Sequence, residues 1–287
     1  MNREKIAILG AGGFTGKHFI DYLQRQNTGD RYEPILIDIT PIESGYESHT
    51  IDACDHLMLK DVLDRISPVY IVNLMGILRS DDLNQLYRCN VEVSRHLMQY
   101  AVQAHVPVKK ILLIGSVAEY GFVAENPVDE NFPRNPVSAY GLSKVIQQEE
   151  ALYFWRKYHV PVVIARTFNL IGQGISNQLA IGAWREKIAE AADRATVRFG
   201  NLESYRDYME VKDVVDIYWK LLLHAPGGEV YNVCSGSAVQ MRTLLEQEIA
   251  QSGKNITIEI DRSLYKPDDL PIIYGNNSKL VHFLKNL

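Results

Sequence analysis

The stretch "KIAILGAGGFTG", residues 5–16, is a short apolar run that stops at a glycine-rich turn and continues into a helical pattern. Gly10, Gly13 and Gly16 stand as G-x-x-G-x-x-G. Glycines there let the chain turn tightly and bring backbone N–H groups at a helix N-terminus close to a pyrophosphate. A strand-to-helix turn without a ligand could use the same glycines, so the spacing alone decides little. The next apolar run, "PILID" (34–38), ends in Asp38, 25 residues after Gly13. That separation suits a carboxylate accepting from the hydroxyls of an adenosine ribose. Glycine loop, helix and acid-tipped strand, in that order, predict a dinucleotide-binding unit.

The alternation continues outward from this unit. "VYIVNL" (69–74), "KILLIGS" (110–116) and "PVVIART" (161–167) read as further strands, with helical patterns at roughly 14–26, 56–66, 83–105 and 139–159. Continuous rather than alternating hydrophobicity marks strands covered on both faces, as in parallel sheets. The fold class predicted is α/β, a Rossmann-type doubly wound parallel sheet. After residue 170 the rhythm loosens into loops with helices near 178–192, 211–224 and 241–251 and strands at 228–233 and 255–260. Residues 1–170 are read as the dinucleotide-binding domain. Residues 171–287 are read mainly as a smaller substrate-binding lobe, too discontinuous for a core of its own, with some segments returning to the sheet.

Composition narrows the class. A chain of 287 residues, 46% hydrophobic and 23% charged, with net charge −5, fits an ordinary soluble protein. It argues against a nucleic-acid or anionic-membrane surface. Cys54, Cys89 and Cys234 are an odd count, far apart in sequence and without a CxxC pair, which suits reduced thiols in a cytoplasm. Glycines break up the N-terminal apolar run, so no secretory signal peptide is expected. The longest apolar runs, such as "YIVNLMGIL", are too short to span a membrane. The eight histidines are scattered without metal-ligand spacing, and no metal site is expected.

In an open α/β sheet, ligands bind beyond the carboxyl ends of the strands. The strands here deliver Asn73 and Gly76, Ser116, and Asn169 to that edge. Between Ser116 and Asn169, "SAYGLSK" (138–144) places Tyr140 and Lys144 one helical turn apart, so phenol and ammonium share a face. Any surface helix can carry such a pair. With Ser116 at a strand end 24 residues upstream, the pair reads as chemistry.

These stretches, together with "GSVAEYG" (115–121), "ARTFNLIG" (165–172), "GNLESYRDYMEVKDVV" (200–215) and "GEVYNVCSG" (228–236), resemble the extended short-chain dehydrogenase/reductase family of nucleotide-sugar enzymes. The likeness runs from about residue 5 to 280 and is greatest to GDP-4-keto-6-deoxy-mannose reductases. It implies NAD(P)H-dependent reduction of a 4-keto sugar, in deoxyhexose and polysaccharide biosynthesis. Tyr140 would protonate the sugar alkoxide, Ser116 would hold the carbonyl oxygen, and Lys144 would bond the nicotinamide ribose. A free phenol titrates near ~10, and drawing its proton into exchange at neutral pH takes roughly 4 kcal/mol of preferential phenolate stabilisation. Lys144 and an oxidised nicotinamide are expected to supply it. The resemblance also implies that Phe14, Thr15, Asp52, Ala53, Leu74, Gly76, Asn90 and Phe168 border the cofactor. Asn169, Lys187, Asn201, Arg206 and Lys266 would contact the nucleotide sugar, Arg206 foremost at its diphosphate. Asp38 favours NAD(H), since a carboxylate repels a 2′-phosphate, with NADP(H) as the alternative.

Three departures shape the reading. The reductases carry R-x-R-P-x-[DE]-x-P late in the chain, and here "LYKPDDLP" has Leu264 and Lys266 in place of the arginines. Residues 73–82, "NLMGILRSDD", also differ from the usual HLAA-type sequence beside the sugar, leaving hexose or heptose open. Dehydratases of the family set a glutamate two residues after the catalytic Ser or Thr, where this chain has Ala118. Glu119 follows, and strand alternation would turn it away from the site. A nucleotide-sugar 4-epimerase and a non-catalytic dinucleotide sensor are the competing readings. A homodimer is expected through a four-helix bundle of the helices at 83–105 and 139–159. The apolar residues noted there are Leu86, Val91, Leu97 and Met98 on the first, and Val145, Ile146, Leu152 and Trp155 on the second.

Overall fold

The computed structural model describes residues 3–26, 28–80, 82–265 and 270–287. The first half runs β1 (Glu4–Leu9), α1 (Phe14–Arg25), β2 (Tyr32–Asp38), β3 (Glu47–Thr50), α2 (His56–Ile66), β4 (Tyr70–Asn73) and α3 (Leu83–Tyr87). A π turn at Arg88–Glu92 carries α3 into α4 (Val93–Gln103), followed by β5 (Lys110–Ser116), α5 (Ala139–Tyr158) and β6 (Val162–Thr167). The second half runs β7 (Asn169–Ile171), α6 (Ala180–Glu190), β8 (Thr196–Phe199), β9 (Tyr205–Arg206), β10 (Tyr208–Glu210), α7 (Val211–His224) and β11 (Val230–Val233). It ends with β12 (Val239–Gln240), α8 (Met241–Ser252), β13 (Thr257–Ile260), β14 (Ile272–Ile273) and α9 (Ser278–Lys285).

Seven parallel strands form the main sheet in the order β11-β6-β5-β4-β1-β2-β3. The apolar runs are continuous because the sheet is covered twice. In β1, Ile6 and Ile8 point into one core with α1, α7 and α9, while Ala7 and Leu9 point into the other with α2, α4 and α5. Each fully buried Ile or Leu contributes on the order of 1.5–3 kcal/mol, so neither face can turn polar. The chain winds outward from β1 in both directions. The crevice between the ends of β1 and β4 is therefore the topological switch point, where such sheets hold ligands.

The sequence missed β3, whose "ESHT" is polar and largely exposed at the sheet edge. The second lobe does possess its own core, contrary to expectation: Ile181, Trp184, Phe199, Leu202 and Leu245 bury one another between α6, α8 and β8. α7, β11 and α9 return to the main sheet. Six of the eight bundle residues need correcting, while Val145 and Ile146 stay half-buried outside the core. Leu86, Val91, Leu97 and Met98 are at most 2% exposed in the chain's own interior, Leu152 packs against that core, and Trp155 packs over Gly227 and Gly228. The apolar side chains that α4 and α5 do expose are Val102, Leu142, Tyr153 and Tyr158. Among the described residues, no helix is long and apolar enough to cross a membrane, and no group of three or more His, Cys, Asp or Glu side chains could hold a metal ion.

Candidate active site

The turn after β1 is shaped for close approach. Gly10 adopts φ +73°, and a Cβ there would meet the backbone of Leu74–Met75 at 2.8 Å. A Cβ on Gly16 would stand 2.3 Å from the Gly10 carbonyl, so helix and loop pack backbone to backbone. Gly13 caps α1 without a side-chain acceptor. The first-turn N–H groups thus face outward, with the positive end of the helix dipole, as a phosphate requires. Asp38 lies beside the turn: Oδ2 accepts from Gly12 N–H (2.9 Å), and Oδ1 accepts from Thr40 N–H (3.0 Å) and its hydroxyl (2.9 Å). Those bonds fix the carboxylate at the mouth of a cavity of about 290 Å³, which Gly10, Asp52 and Ala53 also line. These residues fit the adenosine half of a dinucleotide.

A second cavity of about 700 Å³ opens between the sheet edge and the smaller lobe. Phe14, Thr15, Leu74, Gly76, Ser116, Tyr140, Phe168 and Asn169 line its sheet side, and Asn201 and Arg206 its lobe side. Ser116 ends β5 and caps a 3₁₀ turn at Val117–Glu119, its Oγ accepting from Ala118 N–H (3.2 Å). Ser138 caps α5 by accepting from Gly141 N–H (3.0 Å), which sets Tyr140 in the first turn. The phenol shares the cavity wall with the Ser116 hydroxyl, which acts on its ionisation. Lys144 is 3% exposed; its Nζ lies 5.9 Å from the centre of the Tyr140 ring and donates to Ile114 O and Gln147 Oε1, both at 2.9 Å.

The electrostatics differ from the sequence expectation. Burial raises the pKa of Tyr140, and the Ser116 hydroxyl, not Lys144, pulls the other way. The ammonium is committed to two other acceptors, and burial lowers its own pKa to about 8. Tyr140 is therefore held protonated. Glu119 faces away from the cavity as expected, though through the 3₁₀ turn rather than strand alternation. Its Oε1 accepts from Ser116 N–H (2.9 Å), and Oε2 pairs with Arg166 (3.3 Å) at full burial.

Other expectations need correction. Asn90 does not line either cavity; its amide bonds both the N–H and the C=O of Ile77 and the Ser143 hydroxyl, clamping the loop after β4. Lys187 stands outside the larger cavity because its ammonium reaches back to Arg198 O (2.9 Å) over the Phe199 ring. Lys266 lies outside the described residues. The cysteines are not all apart: Cys54 and Cys89 meet at 3.1 Å beside the adenosine-sized cavity. Sequence reasoning also missed Arg79, Tyr208, Tyr218 and Trp184 on the larger cavity wall. It gave no role to Asp207, whose buried carboxylate accepts from Ser235, Gly236 and Gly275 N–H and draws three lobe segments together.

Glycine turn, acid-tipped β2 and the Ser116–Tyr140–Lys144 grouping occupy one sheet edge, and residues 6–234 match the model of the NAD dependent epimerase/dehydratase family. The chain belongs to that family. The cofactor of the family is NAD, in agreement with the glycine turn and Asp38. The chain is similar to the GDP-6-deoxy-D-talose 4-dehydrogenase of Aggregatibacter actinomycetemcomitans, at 24% identity over 98% of this chain and 92% of that one. It is similar to the GDP-6-deoxy-D-mannose reductase of Pseudomonas aeruginosa, at 28% identity over 86% and 81%. In fold it matches the NAD complex of the Thermus thermophilus UDP-glucose 4-epimerase, with TM-score 0.84 and 20% identity over 97% and 92%.

Proposed function

We propose that this enzyme reduces the 4-keto group of a nucleotide-linked 4-keto-6-deoxy sugar, with GDP as the nucleotide and NADH as the favoured cofactor. The observation that carries the reading is the acid–base inventory of the larger cavity. Among the described residues that line it there is no carboxylate, histidine or lysine, and the ionisable side chains are Tyr140, Tyr208, Tyr218, Arg79 and Arg206. Elimination of the C6 hydroxyl needs a group to move the C5 proton. Ala118 holds that position and Glu119 is locked against Arg166. Hydride transfer to a ketone needs only one proton donor, and Tyr140 beside Ser116 is one.

A nicotinamide cofactor held by the glycine turn and Asp38 would, in its reduced form, supply hydride chemistry at this site. Ser116 and Tyr140 donate hydrogen bonds to the carbonyl oxygen, concentrating charge where they can stabilise it. Tyr140, kept protonated by burial, gives its proton to the forming alkoxide. Lys144, packed behind Gly76, bonds the ribose, and Gln147 and Ile114 O orient its ammonium. Arg206 and Arg79 supply positive charge for the diphosphate in an otherwise acidic chain. Asp38 accepts from the adenosine ribose hydroxyls and disfavours a 2′-phosphate. A homodimer belongs to the same reading, formed through the exposed Val102, Leu142 and Tyr153 rather than through the residues now found in the core.

The test is turnover of GDP-4-keto-6-deoxy-mannose with NADH and with NADPH, next to GDP-mannose with NAD⁺. The expected result is stoichiometric NADH oxidation with the keto sugar, slower oxidation of NADPH, and no 4-keto product from GDP-mannose. Interconversion of two 4-hydroxy nucleotide sugars without net NADH oxidation would replace the reductase by an epimerase.

A further inference from the structure

Cys54 and Cys89 are 35 residues apart in the chain, yet their sulfurs are 3.1 Å apart. Both are free, partly exposed thiols that line the smaller cavity with Asp38 and Asp52. Two local devices bring them together. Asp52 Oδ1 accepts from Cys54 N–H (2.9 Å) in the turn that leads into α2. Cys89 sits in the π turn at Arg88–Glu92, whose wider hydrogen-bonding ring shifts helical phase within one turn. Joining the sulfurs at about 2.05 Å requires an approach on the order of 1 Å. The two thiols differ in readiness. The hydrogen bond between the two sulfurs lowers Cys89 to about 7, with Arg88 assisting and burial and Asp52 opposing. The same hydrogen bond and burial push Cys54 up. Arg88, adjacent to Cys89 in the chain, favours its thiolate, whereas Asp52, bonded to the Cys54 N–H, disfavours that of Cys54, so Cys89 serves as the nucleophile and Cys54 as its resolving partner.

We propose that Cys54 and Cys89 form a reversible redox site in the wall of the adenosine cavity, oxidised by hydroperoxides and expressed as a loss of dinucleotide affinity. The inference rests on the reading of that cavity as the seat of the dinucleotide. The Cys89 thiolate attacks the terminal peroxide oxygen, and the O–O bond breaks. The sulfur gives up two electrons and becomes a sulfenic acid, while the departing oxygen takes a proton and leaves as an alcohol, or as water from hydrogen peroxide. Cys54 then attacks that sulfur and loses its proton, and the S–O bond breaks with release of water. Two thiols and one hydroperoxide thus give one disulfide, one water and one alcohol. A dithiol reverses it by exchange. The bond ties the start of α2 to the π turn, whose Asn90 clamps the loop after β4. Closure therefore pulls on the cavity floor, and a bound adenosine covers the thiols. Cys234, 2% exposed and with its thiol raised by burial, is the internal control.

The experiment adds hydrogen peroxide to the purified protein with and without NADH, maps thiols by maleimide labelling and peptide mass, and follows NADH binding by fluorescence. The expected result is one Cys54–Cys89 bridge, reversed by dithiothreitol, with Cys234 still free. The bridged form should bind NADH about tenfold more weakly, and saturating NADH should slow bridging, as coupling between two sites requires. In Cys54→Ser, dimedone should capture a sulfenic acid on Cys89; in Cys89→Ser, Cys54 should stay reduced. No bridge, or a bridge that leaves NADH affinity unchanged, would overturn the proposal. Reduced wild-type protein that binds no NADH would overturn the cavity reading itself, and this inference with it.

Discussion

The two walls of the larger cavity are built differently. The sheet wall sets its groups on strand ends and a capped helix, and behind Ser116 lies a fully buried network. Arg166 donates to Glu119, Tyr120, Gln148 and the Glu130 carbonyl, and Tyr120 bonds Asn232. The lobe wall combines the start of α6, including Ala183 and Trp184, with two- to four-residue strands and loops, several of them tied together by Asp207. Its Arg242–Glu203 ion pair lies at the surface, with side chains 36% and 67% exposed, whereas Arg185 and Glu248 pair behind the wall with Glu248 8% exposed. A buried network over-determines the position of every member. Loops on a rigid scaffold can change without unfolding it. On the function proposed above, chemistry is fixed on one wall and recognition is adjustable on the other.

The largest effect that would break this contrast comes from the sheet wall. Tyr140→Phe removes one hydroxyl and leaves the packing. A positioned acid typically contributes 10²- to 10⁴-fold, so turnover should fall about a thousandfold. Dinucleotide affinity, read by NADH fluorescence, should be essentially unchanged. A near-normal rate would move the acid to Tyr208 or Tyr218, and the division of labour between the walls would fail. Tyr218 is poorly placed for it, since its hydroxyl meets Thr167 Oγ1 at 2.5 Å.

Much of the sheet wall was legible because its signals are local. Continuous apolar runs betray doubly covered strands, glycines betray a tight turn, and a Tyr and Lys four apart share a helix face. The parts that stayed hidden depend on tertiary packing. A π turn has no residue signature, so neither the clamp at Asn90 nor the meeting of Cys89 with Cys54 could be seen in sequence. Lys187 looked like a phosphate ligand by charge, but a nearby carbonyl took its ammonium. β3 is polar at a sheet edge and lacks any apolar pattern.

The second prediction sharpens the contrast through stability. Arg166→Met strips charge and hydrogen bonds from Glu119, Tyr120 and Gln148 at full burial, and breaking such a network costs about 3–5 kcal/mol. Arg242→Gln breaks only an exposed pair, worth about 0.5 kcal/mol or less. The loss should also depend on pH. Burial raises the Glu119 carboxyl, and Arg166 is the main influence pulling it back. Without Arg166 the folded pKa rises further above the unfolded value. Such a group's stability is fully present below the unfolded pKa and is lost as pH rises through the folded one. Arg166→Met should therefore be least destabilised in mild acid and most in mild alkali, by urea unfolding. A flat profile would mean that Glu119 is not held by Arg166.

The smallest predicted effect probes the adjustable wall. Leu264 stands where the reductases that the chain resembles carry an arginine; it is 46% exposed, and its carbonyl lies against Gly200 at the cavity edge. An apolar side chain there gives a diphosphate nothing but contact, so Arg79 and Arg206 carry the charge on this cavity alone among its described lining residues. Leu264→Arg adds a cation on an exposed 3₁₀ turn. An exposed ion pair yields roughly 0.2–1 kcal/mol, which corresponds to a gain of about 1.5- to 5-fold in affinity. The measurement is competition by GDP at low and high salt. The gain should shrink as salt rises, because surface charges are screened beyond about 10 Å at 0.1 M. Turnover at saturating substrate should not change if, as proposed, the lobe wall binds and the sheet wall reacts. A drop in turnover would show that the lobe edge feeds back on Ser116 and Tyr140, and that the two walls are one mechanical unit. An unchanged GDP affinity would put the diphosphate away from this edge and leave the cavity's arginines as its sole charged contacts among the described residues.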